Sequence, residues 1–191
     1  MRLFVAVDLD EAMRRRMAIR MAQLRQLLIT MNRDLAYVAN WVPADKLHVT
    51  LQFLGEVERE RLPALRAGLA PAIPIAPFPM TFGRPGVYPA GPQPRVIWLG
   101  LAEGRDGLDR LYAELGRRLE AQGFAIDERP FSAHLTLARL KWPANLDVGA
   151  LVGTVETEPA PPVLVDHVTL YRSEPSPTGS IYGSVLRVPL R

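Results

Sequence analysis

The chain has 191 residues, 48% hydrophobic and 23% charged, with 23 Lys and Arg against 20 Asp and Glu for a formal net charge of +3. That length suits one well-buried domain or two small lobes sharing a core, and so slight a positive excess does not by itself mark a nucleic-acid binder. The absence of cysteine excludes disulfide scaffolds, thiol nucleophiles and cysteine zinc sites together.

No apolar run approaches the roughly 18 residues of a membrane helix, and the stretch from Met1 turns acidic at Asp8 too soon for a signal peptide, so a cytoplasmic protein with no membrane partner is expected. Leu3, Val5 and Val7 alternate with Phe4, Ala6 and Asp8, a strand pattern ending near Asp8. Asp10 can cap a following helix, on which Met13, Met17, Met21, Leu24 and Leu28 recur at helical spacing as core residues. Lys46 to Leu54 predicts a strand stopped by Gly55, and a helix is expected from about Glu58 to Leu69. Phe78 to Tyr88 is extended but broken by Pro and Gly, and Arg95 to Leu101 is a strand. Asp106 to Gln122 is an amphipathic helix with Leu108, Leu111, Leu115 and Leu119 on one face and Gly123 at its end. Strands follow at Ala133 to Leu140, Val163 to Tyr171 and Ile181 to Val188. Helices and strands mix without a regular βαβ rhythm and no Gly-rich phosphate loop is present, so the expected class is α+β with largely antiparallel sheets.

One pattern stands out. His48-Val49-Thr50-Leu51 and His134-Leu135-Thr136-Leu137 lie 86 residues apart, one in each half, which suggests two similar lobes. Side chains at i and i+2 of a strand share a face. His48 and Thr50 would therefore face one way while Val49 and Leu51 enter a core, and His134 and Thr136 would do the same. Two imidazoles and two hydroxyls around one small volume suit a phosphodiester. One imidazole can take a proton from water and the other can give one to the departing oxygen, since histidine titrates near neutrality. The threonines can donate to the non-bridging oxygens. Paired histidines also raise a metal reading, but zinc would want a third ligand, neither motif carries a carboxylate at ligand spacing, and no His-Glu-x-x-His occurs. No cofactor is expected.

His167-Val168-Thr169-Leu170 is a third copy, so every histidine in the chain falls in such a motif. Context separates the first two: Phe53-Leu54-Gly55 follows one, and Pro130-Phe131 precedes the other. His167 is expected to be structural.

With those contexts the chain resembles the 2H phosphoesterase superfamily, and within it the RNA 2′,3′-cyclic phosphodiesterases, also described as 2′-5′ RNA ligases. The resemblance rests on Arg2 to Leu9, His48 to Gly55, Val96-Ile97-Trp98-Leu99, Arg129 to Arg139 and Val168 to Ser173, nearly end to end. Ala133 departs from it, standing where the family usually has Pro. The resemblance implies a single bilobal domain over 1–191, with two pseudo-symmetric lobes, each a largely antiparallel sheet flanked by helices, and an active-site cleft between them. It implies metal-free hydrolysis of RNA 2′,3′-cyclic phosphate ends to a 2′-phosphate, with His48 as acid and His134 as base, and 2′-5′ joining as the reverse of one step. A monomer is expected, because a cleft between lobes of one chain completes the site.

Strict alternation sets Arg139 on the face opposite His134. Similar proteins use an Arg there on the phosphate, which requires the strand to end or twist first; the alternative is a surface ion pair. Phe4 and Phe53 could each stack on a nucleobase. Phe53 shares parity with Val49 and Leu51, which favours the core, whereas Phe4 is open between the two. Tyr171 and Tyr182 could line the cleft or pack at its rim. Two other functions remain open at this point: a cyclic phosphodiesterase of small nucleotides, and an RNA-binding module without turnover.

Overall fold

The structure is a computed structural model describing residues 1–91, 93–126, 130–141, 147–153, 161–177 and 179–191. Arg129, at the head of the second motif segment, lies outside the described residues. The chain opens with strand β1 (Arg2–Asp8) and helix α1 (Glu11–Met31), which starts where Asp10 accepts the Met13 N–H at 2.6 Å. Short α2 (Leu35–Val38) and β2 (Ala39–Trp41) lead to β3 (His48–Glu56), then α3 (Leu62–Leu69) and β4 (Phe78–Tyr88). β5 (Val96–Glu103), α4 (Arg105–Glu120) and β6 (Leu135–Leu140) form the middle of the second half. After α5 (Val148–Gly153) come β7 (Val163–Val165), β8 (His167–Ser176) and β9 (Gly179–Pro189).

Several expectations shift. Gly55 does not stop β3, which runs two residues past Leu54 because Gly55 takes a positive φ of 67° within the strand. The helix expected from Glu58 begins at Leu62, after a 3-10 turn at Arg59–Arg61. The Pro and Gly of Phe78–Tyr88 do not break β4, whose pairing with β5 absorbs them as register shifts. The stretch Val163–Tyr171 is two strands divided at Asp166. Three short elements, α2, β2 and α5, carry no clear periodicity to announce them in the sequence.

The strands form one antiparallel sheet in the order β7-β4-β5-β6-β3-β1-β8-β9, with β2 added to β6. The expected two sheets are thus two halves of one. Each half is a strand–helix–strand unit, β1–α1–β3 and β5–α4–β6, whose second strand carries a His-x-Thr-Leu motif. The halves meet where β3 and β6 pair at Val49 and Leu135.

Helices cover one face of this sheet. Leu3, Val5, Val7, Val49, Leu135 and Leu137 from the strands join Met13, Met17, Leu24 and Leu28 of α1 and the four leucines of α4 in a single apolar core. Burial of such side chains supplies most of the driving force for the fold, each fully buried one contributing roughly 1.5–3 kcal/mol. The other face carries Phe4, Ala6 and Asp8 and both motif faces. Phe4 and Ala6 are buried there to 4% and 0% without belonging to the helix-covered core, so this face is concave, with its floor closed over by neighbouring side chains.

Candidate active site

The Val49–Leu135 pair organises the site. Both side chains are fully buried. Antiparallel pairing about that point sets His48 across from Thr136 and Thr50 across from His134, with all four on the concave face. His48 and His134 are then diagonal cross-strand neighbours, about 7–8 Å apart along the diagonal and somewhat closer at Cβ. That separation lets two rings approach one phosphorus from opposite sides.

The two imidazoles are held alike. His48 Nδ1 lies 2.8 Å from the Lys46 carbonyl, and His134 Nδ1 lies 2.7 Å from the Ser132 carbonyl. A carbonyl only accepts, so each Nδ1 carries a proton and donates it, which leaves Nε2 of each neutral ring as the nitrogen with a lone pair. In both cases the acceptor is the residue two positions earlier, just before the strand begins.

Their surroundings differ. Burial pushes the His48 pKa below its usual 6.5; the Lys46 carbonyl and the Asp8 carboxylate pull it back up, while the charges of Arg139 and His134 push it down again. His134 is exposed and has Trp98 edge-on at 6.2 Å between ring centroids. Trp98 lies across β4 and its own strand because Gly86 and Gly100 leave room; a Cβ on Gly86 would stand 2.5 Å from the indole.

Arg139 and Phe53 each lie five residues after a motif histidine, and alternation assigns both to the core face. The structure puts both on the outside, and the cause is the same. Pairing skips Leu51 between Thr50 and Gln52 in β3, and it skips Leu137 between Thr136 and Ala138 in β6. Each extra residue reverses the alternation beyond it. Gln52 therefore turns inward, where its Nε2 donates to the Tyr112 carbonyl of α4 at 3.2 Å, and Phe53 turns out, 69% exposed. Likewise Arg139 turns to the His134 face, where its charge reaches His48.

Phe4 is the centre of an aromatic cluster beside His48. Its ring centroid is 4.9 Å from His48, 5.3 Å from Tyr171, 5.1 Å from Tyr182 and 6.2 Å from Phe53. Tyr182 also meets His48 edge-on at 5.4 Å. Phe4 is buried against His48, Tyr171 and Tyr182 are half-buried, and Phe53 is exposed. The sequence singles out Phe4, Phe53, Tyr171 and Tyr182 but not Trp98 or Asp8 as site residues. The two glycines that flank Trp98 across and along the strands are the available signal.

His167 does not join the pair. It sits on the far side of β1, with Nε2 3.3 Å from Asp8 Oδ2 and Nδ1 bonded to Asp166, and both carboxylates hold its pKa above the usual value. Among the described residues no group of three His, Asp or Glu side chains converges as a metal site would.

Residues 14–176 match the 2′-5′ RNA ligase superfamily. The chain belongs to that family. Among curated relatives, the RNA 2′,3′-cyclic phosphodiesterase of Thermotoga maritima is 33% identical over 184 residues, 95% of this chain and 91% of the relative. That of Archaeoglobus fulgidus is 34% identical over 184 residues, 95% and 96% of the two chains. The Thermus thermophilus protein TT0787 superposes with a TM-score of 0.73 at 30% identity, over 100% of this chain and 98% of its own. The LigT protein of E. coli, crystallised with 3′-AMP, gives a TM-score of 0.67 at 28% identity over 99% and 97%.

Proposed function

We propose that this member of the 2′-5′ RNA ligase superfamily is an RNA 2′,3′-cyclic phosphodiesterase, with His48 and His134 as its acid–base pair. The observation that carries the reading is the matched tether of the two rings, each with Nδ1 donating to the carbonyl two residues before it and Nε2 left free on one concave face. The names of the curated relatives supply the substrate class.

In the forward reaction His134 Nε2 takes a proton from water as the oxygen attacks phosphorus. The P–O3′ bond breaks on the opposite side, and His48 Nε2–H protonates the departing 3′-oxygen, leaving a 2′-phosphate and a 3′-hydroxyl. Thr50, Thr136 and Arg139 donate to the non-bridging oxygens as charge builds there. For His48 to begin as the acid it must be protonated despite its burial; a bound phosphodiester anion favours the imidazolium. Phe53 stacks on the terminal base, with Phe4 beneath His48 as support. Joining of a 5′-hydroxyl to the cyclic phosphate is the same chemistry with an alcohol exchanged for water. One chain over 1–191 forms the whole site, so the working unit is a monomer acting on RNA in the cytoplasm.

The test is hydrolysis of an RNA oligomer ending in 2′,3′-cyclic phosphate, with EDTA present, by the wild type and by folded His48→Ala and His134→Ala. Each histidine removed should lower kcat by about 10²–10⁴-fold. An inactive wild type on RNA ends would overturn the substrate, and turnover of small cyclic nucleotides instead would reassign it. RNA binding without any turnover would make the chain a binding module.

A further inference from the structure

Asp8 is not part of the motif pair, yet it lies in the same row of the sheet. In the register of β1 and β3 it stands directly across from His48, and continuing the register of β1 and β8 sets His167 on its other side. The order across three strands is His48, Asp8, His167. The carboxylate is tied down at both oxygens: Tyr171 donates its hydroxyl to Oδ1 at 2.6 Å, and Thr169 donates to Oδ2 at 2.6 Å, beside His167 Nε2 at 3.3 Å. Thr169 is itself buried. So many bonds to a half-buried carboxylate are more than strand pairing needs, and they fix its charge one strand away from His48.

We propose that Asp8 is a positioning residue of the reaction, supplying the fixed negative charge that favours a protonated His48, and that His167 sets how much of that charge the ring feels. The proposal rests on the acid–base reading of His48. Among the described residues, the charged and titratable groups around His48 are Asp8 from β1, Arg139 of β6 with His134 just before that strand, and Tyr182 of β9, while Tyr171 of β8 reaches it only through Phe4 and Asp8. Asp8 is the anion in this set, and it opposes the burial and the Arg139 charge that favour the neutral ring. Around Asp8 the groups are His48, His167, Thr169 and Tyr171, with Arg14 of α1 acting on Tyr171. Asp8 and Asp166 hold the His167 pKa above its usual value, which favours its imidazolium, and the Arg187 guanidinium, whose Nη2 lies 3.0 Å from Nδ1 and 4.0 Å from Asp166, works against them.

The experiment is a histidine-resolved NMR titration of the whole protein, simplified by there being three histidines, run beside the pH profile of kcat/KM. Asp8→Asn should lower the His48 midpoint by about one pH unit, and the limb of the rate profile that belongs to His48 should move with it. His167→Gln keeps the carboxylate but removes its counter-charge, so the same midpoint should rise. A residue with only a structural role would move neither. An unchanged His48 midpoint in both folded variants would overturn the proposal, even with full RNA-end activity in the wild type. Midpoints that move in opposite directions, in a protein that turns over no RNA, would leave the charge relation standing and overturn only the substrate.

Discussion

Replacing Asp8 by Asn should change how the fold responds to acid, and the size of the change follows from its bonds. Burial alone would raise the Asp8 pKa, but hydrogen bonds from His167, Thr169 and Tyr171, with the charge of His167, bring it from the usual 3.8 down to about 2. A displacement of that size corresponds to about 2 kcal/mol of native-state preference for the carboxylate. The sign follows from linkage. A depressed carboxyl contributes fully above its unfolded value, so the contribution is complete by about pH 5 and is lost as pH falls from about 4 to about 2. His167, whose pKa is raised, contributes below its unfolded value near 6.5 and loses that share as pH rises through its folded value. Both describe the same ion pair, so they are not added. Urea unfolding at pH 7, 5, 4 and 3 checks this while keeping ionic strength low. Asn retains one acceptor oxygen, so Asp8→Asn should be less stable than wild type at pH 7 by about 1–2 kcal/mol. The gap should close toward pH 2–3. The other depressed carboxyls, Glu56, Glu114 and Asp166, are common to both chains and cancel in the difference. Parallel stability curves from pH 5 to 3 would refute the reasoning, because they would mean that Asp8 titrates alike in the folded and unfolded chains.

Phe53→Ala removes an exposed ring, so stability should stay within about 0.5 kcal/mol, while KM for an RNA end rises at least about fivefold with kcat little changed; an unmoved KM would take Phe53 out of substrate contact. Gly86→Ala drives a Cβ to within 2.5 Å of the Trp98 indole, and chemical denaturation should register a loss of about 1–3 kcal/mol as the ring is displaced. Arg118 spans the end of α3, donating to the carbonyls of Leu69 and Ala72 at 3.1 Å each and pairing with Glu114 at 2.7 Å. Arg118→Ala leaves those acceptors unmatched, and a loss of about 2–4 kcal/mol is expected; a thermal midpoint equal to wild type would show that water replaces the guanidinium without penalty.

Much of this protein is legible in one dimension, because it depends on neighbours in sequence. Period-2 alternation locates β1, β5 and β6, and the 3.6 period with Asp10 ahead of it locates α1, whose five anticipated core positions are all buried. His48 with Thr50 and His134 with Thr136 share faces because two residues of strand suffice to bring a side chain back to the same side. What the tertiary structure decides depends on pairing between distant segments. The meeting of β3 and β6 at Val49 and Leu135 turns two similar motifs into one site. Alternation fails at Phe53 and Arg139 because a bulge is a property of two strands: only the partner strand shows that Leu51 and Leu137 are skipped. His167 carries the same motif as the other two and yet serves a carboxylate. Its strand lies beyond β1, so the carboxylate it meets across the sheet is Asp8, more than 150 residues earlier in the chain.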